Sequence, residues 1–179
     1  MRIISGTYKG RRITAPKKLP VRPTTDMAKE ALFNILNNRY YFDEISVLDL
    51  FSGTGNISYE FASRGTERIM AVDENYGCIK FINETAEAFD MPINTMKSDV
   101  FKFLEQTNAK HTIIFADPPY DFNIEVFSTI PELVFSNELL EDGGLLIIEH
   151  SKHTNLSELE YYSKTKNYGG NAFSFFEKY

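Results

Sequence analysis

Cysteine is almost missing: Cys78 is the only one in 179 residues, which excludes an internal disulfide and a thiolate metal cluster. His111, His150 and His153 stand at no metal-ligand spacing from a carboxylate, so surface or capping roles are expected for all three and no metal is expected. No apolar run approaches the roughly 20 residues needed to span a bilayer, and no apolar segment follows the first charges. The expectation is a cytoplasmic protein without membrane contact. Internal repeats and low-complexity stretches are also lacking. What remains has the apolar and charged content of an ordinary soluble protein, long enough for one domain over 1–179 with a continuous core.

Acid is missing from one end. Residues 1–25 carry Arg2, Lys9, Arg11, Arg12, Lys17, Lys18 and Arg22 with no Asp or Glu, while 26–179 carry twelve basic and twenty-five acidic side chains. A basic end on an acidic body is the pattern expected when an arm meets a polyanion that the body avoids. A solvated basic tail is the plainer alternative. Within this arm, Arg2 to Ser5 and Arg11 to Thr14 are β-type runs around Gly6 and Gly10, which predicts a hairpin with its charge at the turn. Pro16, Pro20 and Pro23 keep the next stretch extended, and Thr24-Thr25-Asp26 offers helix-capping residues. Ala28, Ala31, Leu32, Ile35 and Leu36 then form one apolar stripe at helical spacing. Residues 1–40 thus read as a basic hairpin-and-helix extension.

The rest is organised around Val47-Leu48-Asp49-Leu50-Phe51-Ser52-Gly53-Thr54-Gly55-Asn56. An apolar run of this kind suggests a strand buried on both faces of a parallel sheet. Gly53 and Gly55 let the backbone turn sharply into a helix and approach a ligand closely. The third glycine of dinucleotide folds is absent, and Ser58 and Tyr59 follow instead, so a pyrophosphate cradle is disfavoured. A ligand without phosphate, such as S-adenosylmethionine, fits better. A tight strand-to-helix turn with no ligand would use the same glycines.

Helix-like and strand-like segments alternate from there. Helices are predicted at Ile57 to Arg64, Tyr76 to Phe89, Val100 to Gln106 and Ile124 to Leu140. Strands are predicted at Arg68 to Asp73, Ile93 to Met96, Thr112 to Ala116 and Leu145 to Glu149. Such alternation implies parallel strands with right-handed crossovers. Glu160 to Lys166 and Ala172 to Glu177, around Gly169-Gly170, predict an antiparallel hairpin at the edge. The expected fold class is α/β: a three-layer, Rossmann-like sheet of about seven strands.

Three positions at strand ends carry candidate chemistry. Asp73 falls about 20 residues past the glycine turn, where dinucleotide folds place an acid on a ribose diol; capping is the alternative. Asp99, after the third strand, can accept from an adenine amine or cap the next helix. Asp117-Pro118-Pro119-Tyr120 is the sharpest signal. Two prolines stiffen the backbone, so the Asp117 carboxylate and Pro118 carbonyl form two fixed acceptors. They suit a nitrogen with two protons, the exocyclic amine of a nucleobase, on which Tyr120 can stack.

Taken together, Asp49 to Gly55, Asp73, Asp99 and Asp117 to Tyr120 resemble the class I S-adenosylmethionine-dependent methyltransferases that act on exocyclic amines. Met1 to Arg11, Arg22 to Asp26, Glu30 to Asn34 and Tyr168 to Gly170 resemble the bacterial 16S ribosomal RNA guanine-N2 methyltransferases. That resemblance implies a cofactor site of Asp49, Phe51, Gly53, Gly55, Asp73, Glu74, Asp99 and Val100. It implies a catalytic loop of Asp117, Pro118, Pro119 and Tyr120, and RNA contacts from Lys9, Arg11, Arg12, Arg22 and Thr24. The implied partner is 16S rRNA or a small-subunit assembly intermediate, with a monomer as the default. Ser58 replaces a usual glycine, Asp73 a longer Glu, and Met27 a usual arginine. An adenine-N6 methyltransferase and a noncatalytic RNA-binding assembly factor are the competing functions.

Overall fold

Five strands lie parallel in the centre of the computed structural model, which describes residues 1–21 and 24–178. They are β1 (Ser46–Leu50), β2 (Arg68–Asp73), β3 (Ile93–Lys97), β4 (His111–Ala116) and β5 (Leu140–Ser151). β6 (Tyr162–Tyr168) and β7 (Asn171–Phe176) form the C-terminal hairpin, and the sheet order is β3-β2-β1-β4-β5-β7-β6. β7 inserts antiparallel beside β5, leaving β6 at the edge. The winding reverses between β1 and β4, which pair with each other. Their carboxyl ends therefore open a crevice at the point where α/β sheets bind ligands.

Strand periodicity explains the layers. Val47, Phe115 and Ile147 face one side with residues of α1 (Asp26–Asn37), α2 (Asn56–Ser63) and α3 (Tyr76–Phe89). Leu48, Leu50, Ile114 and Ile148 face the other with α4 (Val100–Gln106) and α5 (Ile124–Ser136). Polar caps start four of the helices: Thr25, Asn75, Asp99 and Asn123 each accept the backbone N–H three residues on. α2 starts instead from Gly55, at φ 94° and with no side-chain cap.

Several element boundaries shift by one or two residues from expectation, and α5 and β5 differ by more. α5 ends at Ser136 rather than Leu140, because Glu138 takes a left-handed conformation at φ 53° and Leu139 N–H turns back to the Val134 carbonyl at 2.9 Å. The chain freed there extends β5 backward to Leu140, with a register shift between His111 and Ile113. The N-terminal hairpin forms with one ladder bridge, Arg2 to Arg12. It docks on the far end of α2, where Gly6 (φ 88°) lies so close that a Cβ would sit 1.9 Å from the Ser63 carbonyl oxygen. Ile3 and Ile13 of the arm are buried in the core layer beneath. Among the described residues no helix is long and apolar enough to cross a membrane.

Candidate active site

The turn after β1 is held by its neighbours. Ser52 N–H donates to the Val72 carbonyl at 3.0 Å, and Gly55 N–H donates to the Ser52 carbonyl at 3.0 Å. Phe51 and Gly53 both adopt φ 55°, and Gly53 N–H donates to Asp73 Oδ2 at 2.9 Å. The other oxygen of Asp73 accepts Asn75 N–H at 2.9 Å, so this carboxylate is fixed in plane between two loops at the cavity edge. Gly55 faces inward: a Cβ there would lie 2.8 Å from Tyr59 and 3.0 Å from Ile82. Its place is beneath the turn rather than on the cavity wall, because the tight passage into α2 needs that space.

Asp49 lies in β1 on the same sheet face as Phe115, its register partner. Burial pushes its carboxyl pKa up to about 7; hydrogen bonding from Ser58 opposes the rise and the Asp73 charge adds to it. Ser58 Oγ donates to Asp49 Oδ2 at 2.6 Å. This gives a physical role to the serine that stands in place of a glycine.

The opposite wall is Asp117 to Tyr120, which follows β4 and so lies beside the glycine turn. Asp117 N–H donates to the Leu50 carbonyl at 3.3 Å, joining the two loops directly. Phe51, Phe101 and Phe122 pack mutually, with ring centroids 5.9 to 6.1 Å apart. They give the crevice an aromatic side.

Between these walls lies a cavity of about 860 Å³. Asp49, Phe51, Gly53, Asp73, Glu74, Asp99, Val100, Asp117, Pro118, Pro119, Tyr120 and Thr24 all line it, as do Ser52, Asn56, Phe101, Phe122 and Glu149. Six of its described lining residues are carboxylates, Asp49, Asp73, Glu74, Asp99, Asp117 and Glu149, and none is Lys, Arg or His. Such a lining repels phosphate and attracts a cation. Ser52 Oγ is buried there without a hydrogen-bond partner, a polar atom suited to a ligand. No group of three His, Cys, Asp or Glu among the described residues is arranged to hold a metal ion.

Asp99 also caps α4, accepting Lys102 N–H at 3.0 Å, so the capping role expected of it is filled by a carboxylate that also lines the cavity. Lys9, Arg11 and Arg12 do not line the cavity. Their hairpin sits against Ser63 and Phe89, at the opposite ends of α2 and α3, with Tyr8 Oη bonded to the Phe89 carbonyl and Arg11 over the Phe89 ring at 5.6 Å. Arg22 lies outside the described residues. Met27 is 62% exposed, on the surface where an arginine would be solvated.

Sequence reasoning missed Glu149, Asn56 and the strap Leu19 to Val21. Leu19 and Val21 approach Gly77 and Gly53 so closely that a Cβ would meet them at 2.7 and 3.1 Å. Glu149 reads as the end of an apolar strand; its position at a parallel strand's carboxyl end, like that of Asp117, was the available signal.

Sheet order and crevice together define an α/β methyltransferase fold, shared with solved proteins of that class. The chain belongs to the family described as conserved hypothetical protein 95, whose profile matches residues 1–177. YlbH of Bacillus subtilis (strain 168) is 32% identical over 163 residues, covering 88% of this chain and 86% of that one. Ribosomal RNA small subunit methyltransferase D of Escherichia coli (strain K12) is 29% identical over 150 residues, covering 83% and 74%. A solved protein of Thermus thermophilus is 25% identical, covers 99% of both chains and superposes with a TM-score of 0.85.

Proposed function

We propose that this protein transfers a methyl group from S-adenosylmethionine to the exocyclic N2 amine of a guanine in 16S rRNA, free or in an assembling small subunit, and acts in the cytoplasm where that RNA is found. The observation that carries the reading is a crevice lined by six carboxylates and no described base, with Asp117-Pro118-Pro119-Tyr120 against the glycine turn. The family relationship to a small-subunit rRNA methyltransferase supports the RNA class.

The lining fits the cofactor's chemistry. S-adenosylmethionine is a cation at its sulfonium and its amino group, and it supplies a methyl carbon already activated for attack. In this reading Asp73 would accept from a ribose diol and Asp99 from an adenine amine, and the turn from Phe51 to Gly53 would pass beneath the methionine part. Val100 and Glu74, which line the same cavity, would border the adenosine. The Pro118 carbonyl and the Asp117 carboxylate accept the two N–H bonds of the guanine amine, which turns its lone pair out of the ring plane. Tyr120 stacks on the base, worth roughly 1 to 3 kcal/mol. A base in a stack must leave it to reach this depth. Bound there, S-adenosylmethionine would supply the methyl carbon, its sulfur keeping the electron pair of the broken sulfur–carbon bond, and the amine would release a proton once its nitrogen–carbon bond has formed. Alignment of these atoms supplies much of the acceleration, and fixed acceptors stabilise charge growing on nitrogen.

Purified protein, methyl-labelled S-adenosylmethionine, and small subunits, bare 16S rRNA or DNA from cells lacking this gene form the test, followed by nucleoside analysis. N2-methylguanosine in RNA is the expected product. N6-methyladenosine overturns the guanine assignment, and cofactor binding without transfer to any of the three supports a noncatalytic factor.

A further inference from the structure

Glu149 is 2% exposed and borders the cavity, directly after the apolar run Leu145 to Ile148 of its strand. Ala116 and Ile148 are register partners in the parallel β4–β5 pair. One step further along, Asp117 and Glu149 come next, on strands about 4.8 Å apart. Phe115 and Ile147 belong to the same core layer, so strand alternation carries Glu149 to the face shared with Asp117 and Asp49.

The carboxylate is held from two sides. Thr24 Oγ1 donates to its Oε2 at 2.7 Å, and Asn171 Nδ2 donates to its Oε1 at 3.2 Å. Thr24 is fixed in turn, because Asn56 Nδ2 donates to its carbonyl at 3.2 Å while Asn56 Oδ1 accepts from Lys29 Nζ at 2.8 Å. Contacts from distant parts of the chain thus fix a cavity-lining acceptor on the strand next to the proposed amine clamp. Burying a carboxylate is costly without such partners, and a cavity-lining position is a poor place for a merely structural one.

We propose that Glu149 is the residue that selects guanine over adenine, by accepting the ring N1–H beside the amine that Asp117 and Pro118 hold; this rests on the guanine-amine reading above. Guanine carries a proton on the ring nitrogen next to its exocyclic amine, whereas adenine presents a bare lone pair there. An ionised carboxylate only accepts. Guanine gains a hydrogen bond, and adenine sets two lone pairs face to face in a buried site. Sites built to bond a particular N–H reject analogues lacking it by large factors, because buried groups are left unpaired.

2-Aminopurine probes this feature, since it keeps the 2-amine but has no proton on N1. It also lacks the 6-oxo group, so the assignment is read from how a change at Glu149 alters the preference and not from the parent's preference alone. The full-length protein is assayed on two otherwise identical 16S rRNA substrates, one with guanine and one with 2-aminopurine at the nucleotide identified by the labelling experiment. The parent is expected to favour guanine by about a hundredfold or more in kcat/KM. Glu149→Gln, whose amide can donate to a bare N1, is expected to slow guanine methylation and to narrow the ratio by about tenfold or more. Melting temperature and S-adenosylmethionine affinity of the variant report on fold and cofactor site separately. Thr24→Val, which releases one holder of the carboxylate, shifts the ratio in the same direction by less. Equal rates of the parent on both RNAs overturn the assignment whatever the variants do, as does an unchanged ratio in a folded Glu149→Gln protein. No transfer by the parent to the guanine RNA overturns the guanine reading itself, and this assignment with it, and is recognised because both substrates then stay unmodified.

Discussion

A carboxyl group as deeply buried as that of Asp49 follows its surroundings more than its own acidity. Its pKa stands near 7 against an ordinary 3.8, so between these values the folded protein binds a proton that the unfolded chain has released. Stability contributed by the neutral form is therefore present at the acid end and lost as pH rises through this window. Asp49→Asn removes the effect: its melting temperature should fall less than the parent's between pH 5 and 7.5. A bound cation reverses the preference and favours the ionised form. S-adenosylmethionine affinity should accordingly strengthen as pH rises toward and through 7, with proton release visible as a buffer-dependent binding enthalpy, and Asp49→Asn should flatten both. Asp117 is the complementary case. In Asp117→Ala the glycine turn, Asp73 and the aromatic side are untouched, so cofactor affinity should stay near the parent's. Turnover should drop by about 10² or more, the scale of losing a fixed hydrogen-bond partner in a transition state; single-turnover rates on small subunits measure it. Unchanged turnover would remove Asp117 from the mechanism.

Lys29 shows what joins the elements. It is buried on α1, pairs with Glu60 of α2 at 3.2 Å, and donates to the Arg2 carbonyl at 2.5 Å. Glu60 in turn accepts Ile4 N–H at 2.9 Å, Ser5 N–H at 3.1 Å and Arg64 Nε at 2.8 Å. Burial lowers the lysine pKa, and the Glu60 charge and hydrogen bond oppose that fall. Removing one member of a buried pair strands the other, so Lys29→Ala should destabilise by about 3–5 kcal/mol. That corresponds to a melting temperature roughly 10 °C lower in a chain of this size. The Ile4 and Ser5 amides should also lose protection in hydrogen exchange. A variant that melts like the parent would show that the pair does not hold the arm. Periodicity made the strands, α3 and α4 legible, because each repeats a local pattern that neighbours only reinforce. The Lys29–Glu60 pair was hidden for the opposite reason. A charge beside an apolar stripe reads as solvated, and only the long-range approach of α2 and the arm encloses it. Glu149 was hidden similarly, since its partners Thr24 and Asn171 are far away in the chain, while Asp73 and Asp117 were marked by the motifs around them.

Over the whole molecule, charge is sorted by position. The crevice is acidic, the body is acidic, and the basic arm docks where α2 ends, about 12 Å of helix away from the turn. Lys9, Arg11 and Arg12 therefore cannot grip the reacting base. Their side chains are exposed, and the proposed role for them is to meet backbone phosphates some nucleotides away, on an RNA that the body repels. Two consequences separate this from a solvated tail. An Arg11→Glu, Arg12→Glu variant should bind 16S rRNA more weakly, with a salt slope smaller by roughly one to two, since each lost phosphate contact removes about 0.7 to 0.9 from it. Cofactor affinity should stay at the parent's value, because neither side chain lines the crevice. Filter binding of labelled RNA from about 50 to 200 mM salt, the range over which such contacts weaken most visibly, measures the slope. An unaltered slope would mean that the arm's charge faces only solvent, and that the acidic body finds its RNA through the crevice alone.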